Sequence, residues 1–190
     1  PFQWLLFYLI VLNLIYDLSC IALPFDNVDK EFLKKPRIWE ANSIMRFMAW
    51  IGPISSVFDI ITYMLLYFLV VPMILGHGYN HGAADAAVFI MVFQTGWFIE
   101  SMWSQTLVIH MIRTPKLPFI QSHASAPLTL MTFTGIGVLT IIPFTTFGRM
   151  LGFVALPTAY FAYLIPCILL YMVLATSLKK AYVRHYGELL

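Results

Sequence analysis

The sequence predicts an all-α membrane protein, a bundle of about five transmembrane helices. Of its 190 residues, 61% are hydrophobic and only 11% are charged, whereas soluble domains average about 25% charged residues. Its apolar residues fall into five stretches of spanning length, and its basic residues gather on one side of them. A soluble core of this size cannot bury so much apolar surface, so lipid is expected to cover the rest.

The five apolar stretches differ in strength. A spanning helix needs about 20 mostly apolar residues, and the first, third and fifth stretches meet this requirement easily. The second is long enough to tilt or to run past the bilayer. The fourth is the weakest, because Gly135 and Gly137 interrupt it and Pro143 ends it, although small residues also allow close helix packing. One domain over residues 1–190 is expected, with spans at 2–23, 44–75, 86–112, 126–144 and 158–178.

The basic residues predict the orientation. If the connections 24–43 and 113–125 and the tail 179–190 are cytoplasmic, ten of the eleven Lys and Arg residues lie on or beside that side, and only Arg149 lies opposite. This asymmetry follows the positive-inside rule and puts the N-terminus outside and the C-terminus in the cytoplasm. It also explains the basic clusters without a nucleic-acid partner. Because the chain opens at Pro1 without a Met or a basic leader, we expect a piece of a longer protein.

The sequence lacks the usual signatures of catalysis. Its two cysteines, Cys20 and Cys167, are not part of a CxxC pair, so neither a disulfide framework nor a zinc site is expected. There is no glycine-rich phosphate loop, HExxH or GxSxG sequence. No catalytic residue is therefore expected within this chain.

Three acids lie inside apolar spans: Asp17, Asp59 and Glu100. An acid at the centre of a membrane helix costs about 2.5–3.5 kcal/mol on insertion scales. No Lys or Arg lies deep in a span to neutralise them. Each acid therefore needs a proton, a bound cation, water or a partner from another segment.

Asn13 and Asp17 form the sharpest pair. Their four-residue spacing places both side chains on one face of a helix. An amide oxygen and a carboxylate are hard ligands that suit Mg²⁺ or Ca²⁺. The alternative is an interhelical hydrogen bond. We favour a cation-binding role, because ionisable residues inside membranes are usually functional, and two ligands require others from elsewhere.

Glu100 is a further candidate for cation binding, because Gln105 and other polar residues give its segment a polar side. It could equally be a protonated structural acid, and the sequence leaves both roles open. Asp59 follows Ser55 and Ser56 by one turn. For these three residues and Gln105 we expect a structural or secondary polar role.

The connection 24–43 differs from an ordinary linker, because it mixes acids, bases and aromatic residues. Such a composition suits an ordered docking surface, and a solvated linker that only carries topological charge is the alternative. The charged residues expected to act in coupling are Asp26, Asp29, Lys34, Lys35 and Arg37.

Three stretches of the chain resemble P-type cation ATPases. The run NLIYDLSCIALPFDNVDKEFLKKPRIW, at 13–39, is similar to the sixth transmembrane helix and the cytoplasmic loop after it. The runs RFMAWIGPISSVFDI, at 46–60, and FQTGWFIESMWSQTLVIHMIRTPKLPFIQS, at 93–122, follow in the family's order. PFDNVD with KKP behind it is typical of the magnesium-transporting branch. The resemblance implies helices six to ten of a bacterial magnesium importer in the plasma membrane.

The resemblance also implies roles for residues. Asn13 and Asp17 occupy positions that contribute to the cation site in this family, and Glu100 aligns with an acid of the calcium-pump site. The loop from Pro24 is similar to one that contacts the phosphorylation domain. The intact protein is expected to hydrolyse ATP through a phosphorylated aspartate and to carry Mg²⁺. Its partners are the lipid bilayer, the remaining helices and the phosphorylation domain.

The DKTGT phosphorylation sequence and a TGES-like actuator sequence are absent from the chain. The chain alone is therefore expected to be inactive and to hold no cofactor strongly. Two alternatives remain at this point. One is a P-type pump for calcium or protons, and the other is a stand-alone helical membrane scaffold or accessory subunit.

Overall fold

The computed structural model describes residues 2–27, 41–80 and 82–187. These residues form helices and connections without a β-strand, which confirms the predicted all-α class. Within these ranges, five helices are long and apolar enough to cross a membrane. The α-helices are α1 (Phe2–Cys20), α2 (Ala41–Leu65), α3 (Val71–Leu75), α4 (Ala83–Ile112), α5 (Ala126–Ile141), α6 (Thr146–Met150) and α7 (Thr158–Tyr186).

The second spanning segment is one continuous rod, in which a π-helical turn, Leu66–Val70, joins α2 to α3. Its buried side recurs at every fourth residue before and through that turn. The rod ends at Gly76, whose φ of 75° is left-handed and is readily adopted only without a side chain. The buried positions of this stripe are Ile54, Phe58, Thr62, Leu66 and Val70.

Helix α4 is the central element. It packs against α1, α2, α5 and α7. The apolar window of α4 is 44% buried, whereas that of the first span is 18% buried. Helix α1 therefore lies at the edge of the described bundle, with much of its apolar surface uncovered.

An aromatic group ties α1 to α4 and to the segment before α7. The ring of Tyr8 stacks on Phe153 at 4.4 Å between centroids, and Phe98 lies 5.0 Å from Phe153. The Tyr8 hydroxyl donates a 2.6 Å hydrogen bond to the carbonyl oxygen of Leu151. This bond satisfies the polar end of a ring that is otherwise buried.

Ser125 caps the N-terminus of helix α5, because its side chain accepts a hydrogen bond from the Leu128 N–H at 3.4 Å. A Cβ added to Gly135 would lie 3.8 Å from Ile15 of α1 and 3.9 Å from Met102 of α4, so the helices approach closely there. A Cβ added to Gly137 meets nothing within 4 Å. The close packing expected from the glycines therefore occurs at one of the two.

Helix α7 extends beyond the predicted end of the fifth span. It continues to Tyr186, and Gly187 ends it with a φ of 83°. The added turns pack against α2, because the Tyr182 ring lies 5.6 Å from Phe47 in an edge-to-face arrangement. Part of the predicted tail is therefore helix.

Candidate functional site

Asn13 and Asp17 lie on the uncovered side of α1. Both side chains are exposed, and the helix places them on the same face, one turn apart. The Asn13 amide nitrogen donates a 2.9 Å hydrogen bond to the carbonyl oxygen of Leu9 in its own helix. The amide oxygen of Asn13 and the carboxylate of Asp17 thus face out of the described bundle.

Glu100, unlike Asn13 and Asp17, is buried inside the bundle. It lies in α4 with only 1% of its surface exposed, and its carboxyl group is within hydrogen-bonding reach of Asp59 from α2 and of Ser104 one turn along α4. Its Oε2 atom is buried and has no hydrogen-bond partner within the described ranges. Two acids that are 41 positions apart in sequence thus meet between α2 and α4.

Hydroxyl groups near this acid pair have hydrogen-bond partners of their own. The Tyr160 hydroxyl donates a 2.6 Å hydrogen bond to the carbonyl oxygen of Gly96. The Ser104 hydroxyl donates to the carbonyl oxygen of Ser101 at 3.1 Å. The Tyr171 hydroxyl lies within hydrogen-bonding reach of Ser55. Of these hydroxyl groups, that of Ser104 also lies within hydrogen-bonding reach of Glu100.

The other residues for which the sequence predicted a secondary polar role differ in their exposure and contacts. Ser55 is exposed but contacts Tyr171, Ser56 is exposed without a described partner, and Gln105 is half-buried in α4. Within residues 2–27, 41–80 and 82–187, no group of three or more His, Cys, Asp or Glu side chains could hold a metal ion. Asn13 and Asp17 form one candidate site, and Glu100 with Asp59 forms another.

Asp26 lies at the start of the charged connection and makes two strong contacts. Its Oδ2 accepts a 2.6 Å hydrogen bond from Arg113 Nη1, and its Oδ1 accepts a 2.7 Å hydrogen bond from the backbone N–H of Ser125. The side chains of Arg113 and Asp26 are 6% and 9% exposed. The remaining residues expected to act in coupling lie outside the described residues: Asp29, Lys34, Lys35 and Arg37.

Lys179 is a residue whose role the sequence did not reveal. The charge pattern counted it among the basic residues of the cytoplasmic tail, yet it is 3% exposed. Its Nζ donates to the carbonyl oxygens of Met111, Thr114 and Lys116 at 2.8, 2.9 and 2.9 Å. An ammonium group at the C-terminus of a helix donates to the last carbonyl oxygens of that helix and complements the helix dipole. Lys179 therefore joins α7 to the end of α4.

Known proteins resemble nearly the whole chain. Residues 5–181 match the family described as cation transporting ATPase, C-terminus. The magnesium-transporting ATPase, P-type 1, of Salmonella typhimurium (strain LT2) is 44% identical over 95% of the chain. The protein of that name from Escherichia coli (strain K12) is 41% identical over 95% of the chain. The chain spans only 19% of the length of these relatives.

Proposed function

The chain belongs to the family of cation-transporting ATPase C-terminal regions, and from that premise we propose that it is the C-terminal membrane part of a magnesium-transporting P-type ATPase. The identity of 44% over 95% of the chain to a magnesium-transporting relative is the observation that carries this proposal. ATP hydrolysis would take place in the part of the longer protein that these relatives possess and this chain does not include. The present segment would contribute part of the ion's path and a cytoplasmic loop.

We propose that Asn13 and Asp17 bind Mg²⁺ during its transport. Both side chains are exposed on an uncovered side of α1, which supports this role because further helices of a longer pump could supply the missing ligands there. Mg²⁺ requires near-octahedral oxygen coordination and loses its waters reluctantly. A few protein oxygens with a partly hydrated ion are therefore expected.

Glu100 has a secondary part in this proposal. Its carboxyl group faces Asp59 between α2 and α4 and not the uncovered side of α1. Two neighbouring carboxyl groups in an apolar setting repel each other when both are charged, so the pair needs a shared proton or a cation. Glu100 would meet Mg²⁺ only where the ion's path passes between these two helices.

The charged connection is proposed to couple the ion site to the phosphorylation domain. The contacts of Asp26 support this role, because they fix the start of the connection to the α4–α5 segment. Asp29, Lys34, Lys35 and Arg37 would then be the residues that meet the catalytic part. The distribution of Lys and Arg supports a C-terminus in the cytoplasm, and the bacterial relatives support a location in the bacterial plasma membrane.

The site assignment is tested in the full-length protein by replacing Asp17 with Ala. We expect Mg²⁺ uptake and Mg²⁺-stimulated ATP hydrolysis to fall at least about tenfold, since even outer-shell changes at metal sites cost that much. Leu18→Ala is the matched control, because Leu18 is also exposed on α1 but lies on another side of the helix. Normal uptake by Asp17→Ala would disprove the site, and stronger stimulation by Ca²⁺ than by Mg²⁺ would disprove the ion.

A further inference from the structure

We propose that Asp26 and Arg113 are positioning residues for the transported ion, because their pairing fixes the helix that carries Asn13 and Asp17. This inference rests on the proposed function. Asp26 follows Asp17 by nine positions in the sequence, and Arg113 is the residue directly after α4. The pair therefore connects the proposed ion-binding helix to the central helix of the bundle.

The contacts of the pair join three segments of the chain. Asp26 uses both carboxylate oxygens, one for Arg113 and the other for the backbone N–H of Ser125 at the start of α5. A negative charge is favourable at that position, because a helix N-terminus carries partial positive charge. Arg113 in turn donates through Nη2 to the Ser122 hydroxyl at 2.9 Å and through Nη1 to the Asn27 carbonyl oxygen at 3.3 Å.

Burial makes this pair different from a surface ion pair. Exposed pairs contribute little, because water and salt screen them. Arg113 and Asp26 are instead 6% and 9% exposed, so removing either partner leaves a buried charge unpaired, which is the costly case. The arrangement therefore holds its geometry strongly while both partners are present.

The Arg113 side of the pair is anchored independently. Lys179 from α7 binds the carbonyl oxygens of Met111, Thr114 and Lys116, which lie on both sides of Arg113 in the sequence. The end of α4 is thus held between α7 and the Asp26 carboxylate. In this arrangement Arg113 is the fixed reference, and the segment after α1 is positioned against it.

The connection between Asp17 and Asp26 is short and ordered. After α1 the chain forms a 3₁₀ turn at Leu23–Phe25, in which the Asp26 N–H bonds to the Leu23 carbonyl oxygen at 3.0 Å. Ala22 is buried against Ile109 of α4 and Leu128 of α5. A shift of Asp26 is therefore expected to move the C-terminal end of α1, and Asp17 with it.

The test measures Mg²⁺ uptake by the full-length protein in cells without other uptake systems, while external Mg²⁺ is varied. External Mg²⁺ is the right variable, because it leaves the cytoplasmic Mg²⁺ that accompanies ATP unchanged. We expect Asp26→Asn and Arg113→Gln each to raise the half-saturating Mg²⁺ concentration about fivefold or more, which is the lower end of typical coupling between sites. The maximal rate per folded pump is expected to change much less.

Two further variants separate positioning from general damage. Arg113→Lys keeps the charge but loses the two-nitrogen contact with Asp26 and Ser122, so it should shift half-saturation in the same direction by a smaller factor. Arg184→Gln removes an exposed basic residue of the same face and should shift nothing. The double variant Asp26→Asn/Arg113→Gln should be no worse than the worse single variant, because both act through one contact.

The inference is overturned if Asp26→Asn leaves the half-saturating concentration unchanged, or if the two single effects multiply in the double variant. It is also overturned if the variants lower only the maximal rate. Failure of the proposed function looks different, because the unmodified protein would then show no uptake that depends on external Mg²⁺.

Discussion

At the scale of single residues, Gly96 shows how tightly α4 is packed. A Cβ at this position would overlap Leu66 Cδ2 and lie 3.2 Å from Leu66 Cγ, and Leu66 is completely buried. The Gly96 carbonyl oxygen also accepts the Tyr160 hydrogen bond, which limits movement of the helix away from its neighbours. A side chain at position 96 would therefore force Leu66 to move from its buried place between α4 and the second span.

We predict that Gly96→Ala destabilises the protein by about 1–3 kcal/mol, the usual cost of overpacking a core. Gly137→Ala is the matched control, because it also lies within a helix and its new methyl group meets nothing within 4 Å. Helix propensity alone favours Ala over Gly by about 1 kcal/mol, so the control should be neutral or more stable. Thermal unfolding of the purified full-length protein in detergent measures both, and equal midpoints for the two variants would contradict the packing.

At the scale of elements, Lys179 holds the C-terminal end of α4 against α7 through three hydrogen bonds. Replacing it with Met keeps the apolar stem but removes three hydrogen bonds from an ammonium group, each to a backbone carbonyl. We predict a loss of roughly 3 kcal/mol, because hydrogen bonds to charged groups contribute more than neutral ones. Faster amide exchange is expected in residues 106–116.

The neighbouring lysine provides the control for that change. Lys180 is exposed on the same turn of α7, so Lys180→Met removes the same charge without removing a contact to α4. Amide exchange that rises equally in both variants would show that charge alone stabilises this end of the bundle. Exchange that rises only in Lys179→Met would support the role of the three carbonyl contacts.

At the scale of the whole molecule, the charge distribution predicts which loops face which side of the membrane. Gly78 precedes α4 and Gln121 follows it, and both are exposed. With Cys20 replaced by Ser, we predict that an impermeant maleimide labels Gly78→Cys in intact cells. Gln121→Cys should be labelled only after the membrane is opened. The reversed pattern would invert the orientation, and labelling of both in intact cells would mean that α4 does not cross.

The sequence alone predicts the five spans well, because a bilayer requires long apolar segments whose backbone groups bond within the helix. It does not predict that Asp59 meets Glu100, since that contact depends on how α2 packs against α4. It counts Lys179 among the basic residues of the cytoplasmic tail but does not predict its contacts with three carbonyl groups. Charge counts report the side of the membrane on which a residue lies, but not the carbonyl groups that can enclose an ammonium group.

The acidic residues also differ in how far the sequence predicts their surroundings. Spacing predicts that Asn13 and Asp17 share a face, because helical geometry is local. The two contacts of Asp26 come from residues 87 and 99 positions away, and no local pattern announces them. For a helical membrane protein, the sequence thus indicates which residues are costly to bury, and the packing decides which of them meet.

The π-helical turn at Leu66–Val70 has a geometric consequence for the second span. Four residues of an α-helix advance by about 40° more than one full turn, so a stripe repeated every fourth residue rotates steadily around the rod. From Ile54 to Val70 that rotation would reach about 160° in an unbroken α-helix, which would turn Val70 to the opposite side. A π-helical turn contains more residues per turn than an α-helix, so each of its residues advances by a smaller angle. It therefore cancels part of this rotation and keeps both ends of the stripe directed inward. Ordinary α-helical geometry at the same five positions would therefore rotate α3, and the loop it leads to, away from the inward side.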